Sequence, residues 1–186
     1  MNNNQEDYMF NQAKTFIKKF TNKQFTYVST FLIKSNIDMN HKDIYGNTLL
    51  HYACREKKFN VVRFLLKNGS DPDIINNDSR LPLHFLAIYG NGINNNDKKI
   101  VVDNKNKAFG LIFNHLISFS QKSLYEKDMH GKSPLDYYVV HSRVTNLNIS
   151  PNLSKIVKST TIRENIKYKI ETYIMLRQSK KYTRYK

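Results

Sequence analysis

Cysteine is almost absent from this chain, since Cys54 is the only one among 186 residues. A single thiol excludes an intramolecular disulfide and a Cys-x-x-Cys zinc site, and it fits a reducing compartment. Long apolar runs are missing as well, because no stretch approaches the roughly 18 to 20 apolar residues needed to cross a bilayer. The first residues, Met-Asn-Asn-Asn, lack the apolar core of a secretory signal. We therefore expect the chain to work in the cytoplasm or the nucleus.

Acidic residues are half as frequent as basic ones. The chain has 15 Asp and Glu against 30 Lys and Arg, which gives a formal net charge of +15. The excess is uneven, because residues 151–186 contain ten Lys or Arg but only Glu164 and Glu171. Such asymmetry favours attraction to something acidic, whether a protein patch, nucleic acid or the anionic face of a membrane. Composition leaves these three alternatives open.

Motifs of catalytic, metal and cofactor sites are also lacking. An EF-hand beginning at Asp71 would need a glycine where Asn76 stands. Residues 90–95 begin like a dinucleotide fingerprint but have no third glycine. His51 and Cys54 share one helical face, but a buried thiol in apolar surroundings is inert, so we interpret both as structural. We therefore expect no enzymatic activity, no metal and no cofactor.

The sequence does contain a phrase that recurs at a fixed distance. Residues 46–53, Gly-Asn-Thr-Leu-Leu-His-Tyr-Ala, are echoed by residues 79–86, Ser-Arg-Leu-Pro-Leu-His-Phe-Leu, and the two copies begin 33 positions apart. A third copy, Gly-Lys-Ser-Pro-Leu-Asp, begins at Gly131, one period plus 19 residues further on. Repetition at this period indicates a solenoid of stacked units. The surplus indicates an insertion in the third unit.

The recurring phrase resembles the ankyrin signature T-P-L-H-x-A, of which residues 48–53 match four of the five fixed positions. Residues 61–73 are similar to the second ankyrin helix and the turn that follows it. The resemblance implies an all-α ankyrin-repeat solenoid of about four helix pairs, with short β-turn fingers and a C-terminal capping helix. The helix pairs are expected near residues 7–34, 50–67, 83–118 and 135–158.

The resemblance also implies a domain organisation. An ankyrin-repeat domain covers residues 1–158, and residues 159–186 form a basic capping helix and a tail. In that last segment isoleucines recur at spacings of three and four, which is typical of an amphipathic helix. The third unit carries the insertion at 89–106, so its second helix is expected from Lys107 to Ser118. The four units lie near residues 7–39, 40–72, 73–127 and 128–158.

Framework residues have roles that the resemblance implies. The histidines of the phrase, His51 and His84, belong to the hydrogen bonds that tie adjacent ankyrin units together. The glycine of the phrase takes a turn conformation with positive φ. Ser79 stands in its place, so we expect local strain and a less stable third unit.

Protein binding in ankyrin repeats uses the fingertips and the exposed face of each first helix. Ile44, Tyr45 and Met129 are apolar at fingertip positions, and aromatic and Met side chains are common interface anchors. Tyr52 and Phe85, on the first helices, could equally be packing residues. The complete set of candidates is Ile44, Tyr45, Tyr52, Asn77, Asp78, Phe85, Met129 and His130.

In length and in its richness in Asn and Lys, the chain resembles short ankyrin proteins of pox-type and insect-associated DNA viruses and of intracellular bacteria. That resemblance implies a non-enzymatic protein–protein interaction module that binds a host protein through its fingers and concave face. It would act in the cytoplasm or nucleus of a host cell as a host-interacting effector. One form that the resemblance implies is an NF-κB inhibitor-like decoy.

The alternative is a binder of nucleic acid or of an anionic membrane through the basic tail. Its cations would neutralise phosphates, and binding to nucleic acid would then weaken steeply as salt rises. The tail residues that carry this alternative are Lys167, Lys169, Arg177, Lys180, Lys181, Arg184 and Lys186.

Overall fold

The computed structural model describes residues 3–89, 99–120 and 122–138, all within one compact unit, Met1–His141. The α-helices in chain order are α1 (Asn3–Lys19), α2 (Phe25–Ser35), α3 (Leu49–Arg55), α4 (Phe59–Lys67), α5 (Pro82–Tyr89) and α6 (Lys99–Phe119). Two short 3₁₀ helices, Asn22–Gln24 and Lys122–Leu124, and a helical stretch at 134–138 accompany them. No described residue lies in a β-strand, so the expected all-α fold is confirmed.

The helices pair and stack in two layers. α1 packs against α2, α3 against α4, and α5 against α6. α3 contacts both α1 and α5, and these three form the layer that we call the inner helices. α4 contacts both α2 and α6, and these three are the outer helices. Leucine side chains with no exposed surface, among them Leu50, Leu65 and Leu86, form the core of the stack.

The pattern of α4 explains its place in the stack. Val62, Leu65 and Leu66 recur at spacings of three and four and are buried, whereas Arg63 and Lys67 are exposed. This spacing gives the helix one apolar stripe and one polar face. Burial of the stripe against the neighbouring helices stabilises a helix that, at this length, is marginal alone.

α6 is longer than the sequence pattern indicates. The pattern places this helix from Lys107 to Ser118, but it begins at Lys99. Residues 98–107 contain neither Pro nor Gly, so nothing interrupts a helix that extends back from the apolar repeat of its second half. The insertion therefore supplies the first turns of α6, while residues 90–98 lie outside the described residues.

Three finger turns of identical design lie between the helix pairs, at residues 43–47, 76–80 and 128–132. In each, the first residue's N–H donates to the fifth residue's carbonyl at 2.9–3.0 Å, and the fourth residue's N–H donates back to the first residue's carbonyl at 2.8–3.0 Å. The fourth residues have positive φ angles: Gly46 74°, Ser79 58° and Gly131 69°. The positive φ expected of Ser79 is therefore confirmed.

Candidate protein-binding surface

The fingertips are joined into a continuous row by backbone hydrogen bonds. The N–H of Asn77 donates to the carbonyl of Tyr45 at 3.0 Å, and the N–H of Met129 donates to the carbonyl of Asp78 at 3.0 Å. The Asn77 side-chain amide adds a bond of 3.1 Å to the carbonyl of Ile44. Five sequence-predicted residues therefore lie side by side across three fingers, and we call them the fingertip row.

Gly46 is required by this close approach as well as by its φ angle. A Cβ atom at position 46 would lie 2.5 Å from Oδ1 of Asn77 and 2.9 Å from its backbone nitrogen. Both distances are shorter than van der Waals contact permits. The first two fingers can therefore lie this close only with glycine at this position.

Large apolar side chains at the ends of the row are exposed. Ile44 is 84% exposed, Met129 64% and Tyr45 60%. In the middle finger Asn77 is exposed, whereas Asp78 is half-buried and accepts a bond of 3.4 Å from Nη1 of Arg80. His130 is exposed beside Met129. The row thus offers two apolar ends separated by an amide and a carboxylate.

Tyr52 is half-buried, and its polar end is already used. The phenol donates a hydrogen bond of 2.5 Å to Oδ2 of Asp43, at the start of the first finger. Burial and the bond to Asp43 raise the pKa of Tyr52 to about 12. The ammonium of Lys14 lies 4.8 Å from the centre of the ring and 3.5 Å from Oδ2 of Asp43. Tyr52 therefore anchors the finger to α3 and leaves part of its ring at the surface.

Phe85 is only 6% exposed. Its ring packs edge-on against His51, with centroids 5.1 Å apart, and tilted against Tyr89 at 5.7 Å. These contacts favour the packing alternative that the sequence leaves open. A direct contact between Phe85 and a partner stays a prediction.

The two histidines of the phrase tie each unit to the next. The N–H of Thr48 donates to Nδ1 of His51 at 3.0 Å, so the ring proton is on Nε2, which donates to the carbonyl of Arg80 at 2.9 Å. His84 repeats this arrangement, because Nδ1 accepts from the N–H of Leu81 at 3.0 Å and Nε2 donates to the carbonyl of Lys132 at 3.1 Å. The hydrogen-bond role implied by the resemblance is confirmed for both.

Burial keeps both rings neutral. It lowers the pKa of His51 from 6.5 to about 4, against the raising effects of the Arg80 carbonyl and Asp43. Burial also lowers the pKa of His84. Neither ring has a free nitrogen, so neither can serve as a general base without breaking the link between units.

Asp128, the first residue of the third finger, is a buried acceptor at the centre of four hydrogen bonds. Its Oδ2 accepts from the phenol of Tyr137 at 2.7 Å and from Nε of Arg80 at 3.1 Å. Its Oδ1 accepts from the backbone N–H groups of His130 at 2.9 Å and Lys132 at 3.1 Å. Burial alone would raise the pKa of Asp128, but these bonds outweigh it and lower the pKa to about 2.

Sequence reasoning missed this link between finger and helix, although a signal exists. Tyr52 follows Asp43 by nine residues, and Tyr137 follows Asp128 by nine. In the middle unit Asn76 replaces the aspartate, and Phe85 replaces the tyrosine. The Asn76 amide instead donates to Oδ1 of Asn47 at 2.9 Å, in the preceding finger. Acid and phenol are thus present together or absent together.

Cys54 and its neighbours contain no catalytic arrangement. The thiol has no exposed surface, and burial raises its pKa, so the reactive thiolate is suppressed. Within residues 3–89, 99–120 and 122–138, no three His, Cys, Asp or Glu side chains are grouped as metal ligands. The tail residues of the alternative, from Lys167 to Lys186, lie outside the described residues, so that alternative stays a prediction.

A family model of ankyrin repeats matches residues 32–86, which cover the first two fingers and the helices from α3 to α5. An ankyrin repeat protein of fowlpox virus is 41% identical over 64 residues, 34% of this chain and 15% of the relative. A second fowlpox virus protein is 30% identical over 142 residues, which cover 70% of this chain and 20% of the relative.

Further relatives come from other organisms that live inside cells. An ankyrin repeat protein of Acanthamoeba polyphaga mimivirus is 28% identical over 142 residues, covering 63% of this chain and 18% of the relative. One from Rickettsia felis is 44% identical over 54 residues, covering 27% of this chain and 23% of the relative. The chain thus spans a quarter or less of the length of these relatives. The repeat phrase, the finger geometry and the matched segment make the chain a member of the ankyrin-repeat family.

Proposed function

We propose that this chain is a non-enzymatic module that binds a host protein along the fingertip row, inside a host cell. The observation that supports it is the exposure of Ile44, Tyr45 and Met129 at fingertips that backbone bonds hold in fixed register. Ankyrin repeats are a general protein–protein interaction module, so a binding role follows from the family. The place of binding and the host partner are the proposal.

The row is suited to a protein partner because it is apolar without contributing to the fold. The framework side chains of the finger, Asp43 and Asp128, are committed to the hydrogen bonds that hold each finger to its helix. The tip side chains are exposed, so a partner can bury them without disturbing the stack. A rigid aromatic or Met side chain that becomes buried in a partner's pocket is a frequent source of binding energy.

The origin of the relatives supports a host protein as the partner. Fowlpox virus, mimivirus and Rickettsia felis multiply inside the cells of their hosts, and each has an ankyrin repeat protein similar to this chain. A protein of such an organism meets host proteins in the cytoplasm or the nucleus, where we place its action. The narrower prediction of an NF-κB inhibitor-like decoy adds one candidate partner that the same experiment includes.

The experiment compares Tyr45→Ala/Met129→Ala with the wild-type chain as bait in membrane-cleared lysate of a host cell, at moderately high salt. We expect a discrete host protein that the wild type retains and the variant loses by at least about 30-fold in affinity, the loss typical of two interface anchors. NF-κB subunits are sought among the retained proteins.

The matched control is Tyr27→Ala/Phe119→Ala, which removes comparable exposed apolar surface from the outer helices α2 and α6. It should retain the partner. A partner that is lost equally from both variants, or from the control alone, would contradict binding along the fingertip row. Retention of nucleic acid alone, at low salt, would favour the basic tail instead.

A further inference from the structure

We propose that the outer helices form a second contact surface, which binds the anionic face of a membrane while the fingertip row remains free. The surface consists of the exposed side chains of α2, α4 and the part of α6 from Lys107 onward, and we call it the outer-helix face. It is distinct from the basic tail, because all of these residues lie within the repeats.

The outer-helix face is cationic and contains no carboxylate. Residues 25–35, 59–67 and 107–119 include Lys34, Arg63, Lys67, Lys107 and His115 but no Asp or Glu. Arg63 and Lys67 are both exposed and lie one helical turn apart on α4. Among the described residues neither forms a salt bridge. Two unpaired cations on a face without acids are free to meet an external anion.

Charge from α4 extends to the neighbouring helix α6. Burial lowers the pKa of His115 on α6, and the charges of Arg63 and Lys67 lower it further. The ring of His115 lies edge-on between Phe59 of α4 and Phe119 of α6, with centroids 6.1 and 5.4 Å away. The two cations and the aromatic cluster therefore occupy the same part of the face.

Large apolar side chains are exposed among these cations. Ile33, next to Lys34 on α2, is 66% exposed, and Leu111 and Phe119 on α6 are exposed as well. Adjacent helix axes lie about 8–10 Å apart, so three helices side by side make a broad surface rather than a groove. Peripheral membrane binding requires this combination, because apolar side chains enter the acyl boundary while Lys and Arg meet anionic headgroups.

The apolar residues favour a membrane over nucleic acid as the occupant. Ile33 and Leu111 are aliphatic, and they can neither stack on a base nor donate a hydrogen bond to it. In a bilayer the same side chains gain free energy by leaving water. None of the helices in the described ranges has the length and apolar character to cross a bilayer, so the contact is peripheral.

The two-layer architecture allows both contacts at once. The fingers are bonded to the inner helices and to the stretch at 134–138, as the Tyr52–Asp43 and Tyr137–Asp128 hydrogen bonds show. The outer helices contribute none of the residues of the fingertip row. A chain resting on a membrane by its outer layer could thus still present its fingertips to a protein.

The test is co-sedimentation of the full chain with vesicles of phosphatidylcholine containing about one-third phosphatidylserine, compared with phosphatidylcholine alone. We expect Arg63→Gln/Lys67→Gln to weaken binding about 25-fold, since each basic side chain at an anionic surface contributes about fivefold. Ile33→Ser/Leu111→Ser should weaken binding at least about tenfold without altering the net charge. The far-ultraviolet circular dichroism of each variant should match that of the wild type.

Two control pairs make the result specific. Lys18→Gln/Lys19→Gln removes the same charge from exposed residues at the end of α1, and Lys180→Gln/Lys181→Gln removes it from the tail. We expect each to weaken vesicle binding less than about threefold. Equal losses from all three charge pairs, a loss from the tail pair alone, or no binding by the wild type would overturn the proposal.

A single-stranded RNA of mixed sequence serves as the competing probe. If Arg63→Gln/Lys67→Gln loses RNA binding while Ile33→Ser/Leu111→Ser binds vesicles as the wild type does, the face is a nucleic-acid surface and the membrane proposal is wrong. If Ile33→Ser/Leu111→Ser loses vesicles and keeps the affinity of the wild type for RNA, the membrane proposal is supported.

Discussion

Nε2 of His51 donates a hydrogen bond of 2.9 Å to the carbonyl oxygen of Arg80, a residue 29 positions further along the chain. The bond crosses from α3 to the end of the second finger and fixes one unit against the next. It requires a neutral ring, because Nδ1 must accept the N–H of Thr48. The same geometry recurs at His84, so the neutral histidines make the stability of the stack depend on pH.

The free energy of unfolding should fall as the pH drops from about 6.5 towards 4. In this window the unfolded chain binds a proton at His51, whereas the native ring, with a pKa of about 4, does not. The unfolded state therefore binds more protons, and stability is lost as pH falls. His51 alone contributes about 3 kcal/mol to this loss, and His84 adds to it because its pKa is also lowered.

Urea unfolding at a series of pH values between about 7 and 4 measures this effect. His51→Gln should be less stable than the wild type near pH 7 and should show a flatter pH dependence. A wild-type profile that is level from pH 7 to pH 5, or an equally steep profile in His51→Gln, would show that the ring does not hold the units together as a neutral donor.

Asp128→Asn should destabilise the fold by about 2–4 kcal/mol at neutral pH. The change leaves Arg80, whose side chain is largely buried, without its anion and disturbs the acceptor of the Tyr137 phenol. Tyr137→Phe is the milder comparison, because it removes one hydrogen bond and should destabilise by about 1 kcal/mol. Chemical denaturation at one pH ranks them, and equal effects would contradict a central role for the carboxylate.

Ser79→Gly should stabilise the chain by about 0.5–1 kcal/mol. Serine there has a φ of 58°, a conformation that strains a residue with a Cβ atom, and glycine relieves the strain. Gly46→Ala is the opposite test at the equivalent position of the first finger, where the new methyl group would also meet Asn77. It should destabilise by at least about 2 kcal/mol, and a rise in its melting temperature would contradict this account of the fingers.

Cys54 should be unreactive in the native state. The thiol is fully buried and its pKa is raised by burial, so a thiol reagent can reach it only when α3 opens. Its rate of modification by a disulfide reagent should therefore rise in parallel with the unfolded fraction in urea. Rapid stoichiometric modification without urea would show an exposed, activated thiol and would reopen a nucleophilic role.

Much of the inner architecture follows from local sequence signals. The phrase starting at Gly46 predicts the finger, the helix start and the inter-unit histidine, because each depends on residues a few positions apart. The positive φ of Ser79 is predictable in the same way, since the period of 33 residues aligns it with Gly46.

The rest depends on contacts that no local pattern encodes. Arg80 reaches Asp128 across 48 residues, and the insertion breaks the period that would have aligned them. Lys14 approaches Tyr52 from α1, whose unit has no copy of the phrase. The early start of α6 at Lys99 likewise depends on the absence of a helix breaker, a weaker signal than the apolar spacing further along.

Site-specific crosslinking tests the central claim, protein binding at the fingertip row, most directly. The full chain is prepared with the photo-crosslinking residue p-benzoylphenylalanine in place of Tyr45 and, in a separate sample, in place of Tyr27. After illumination in lysate of a host cell, we expect one discrete protein adduct at position 45 and none at position 27. An adduct at position 27 alone, or none at either position, would contradict binding through the fingertips.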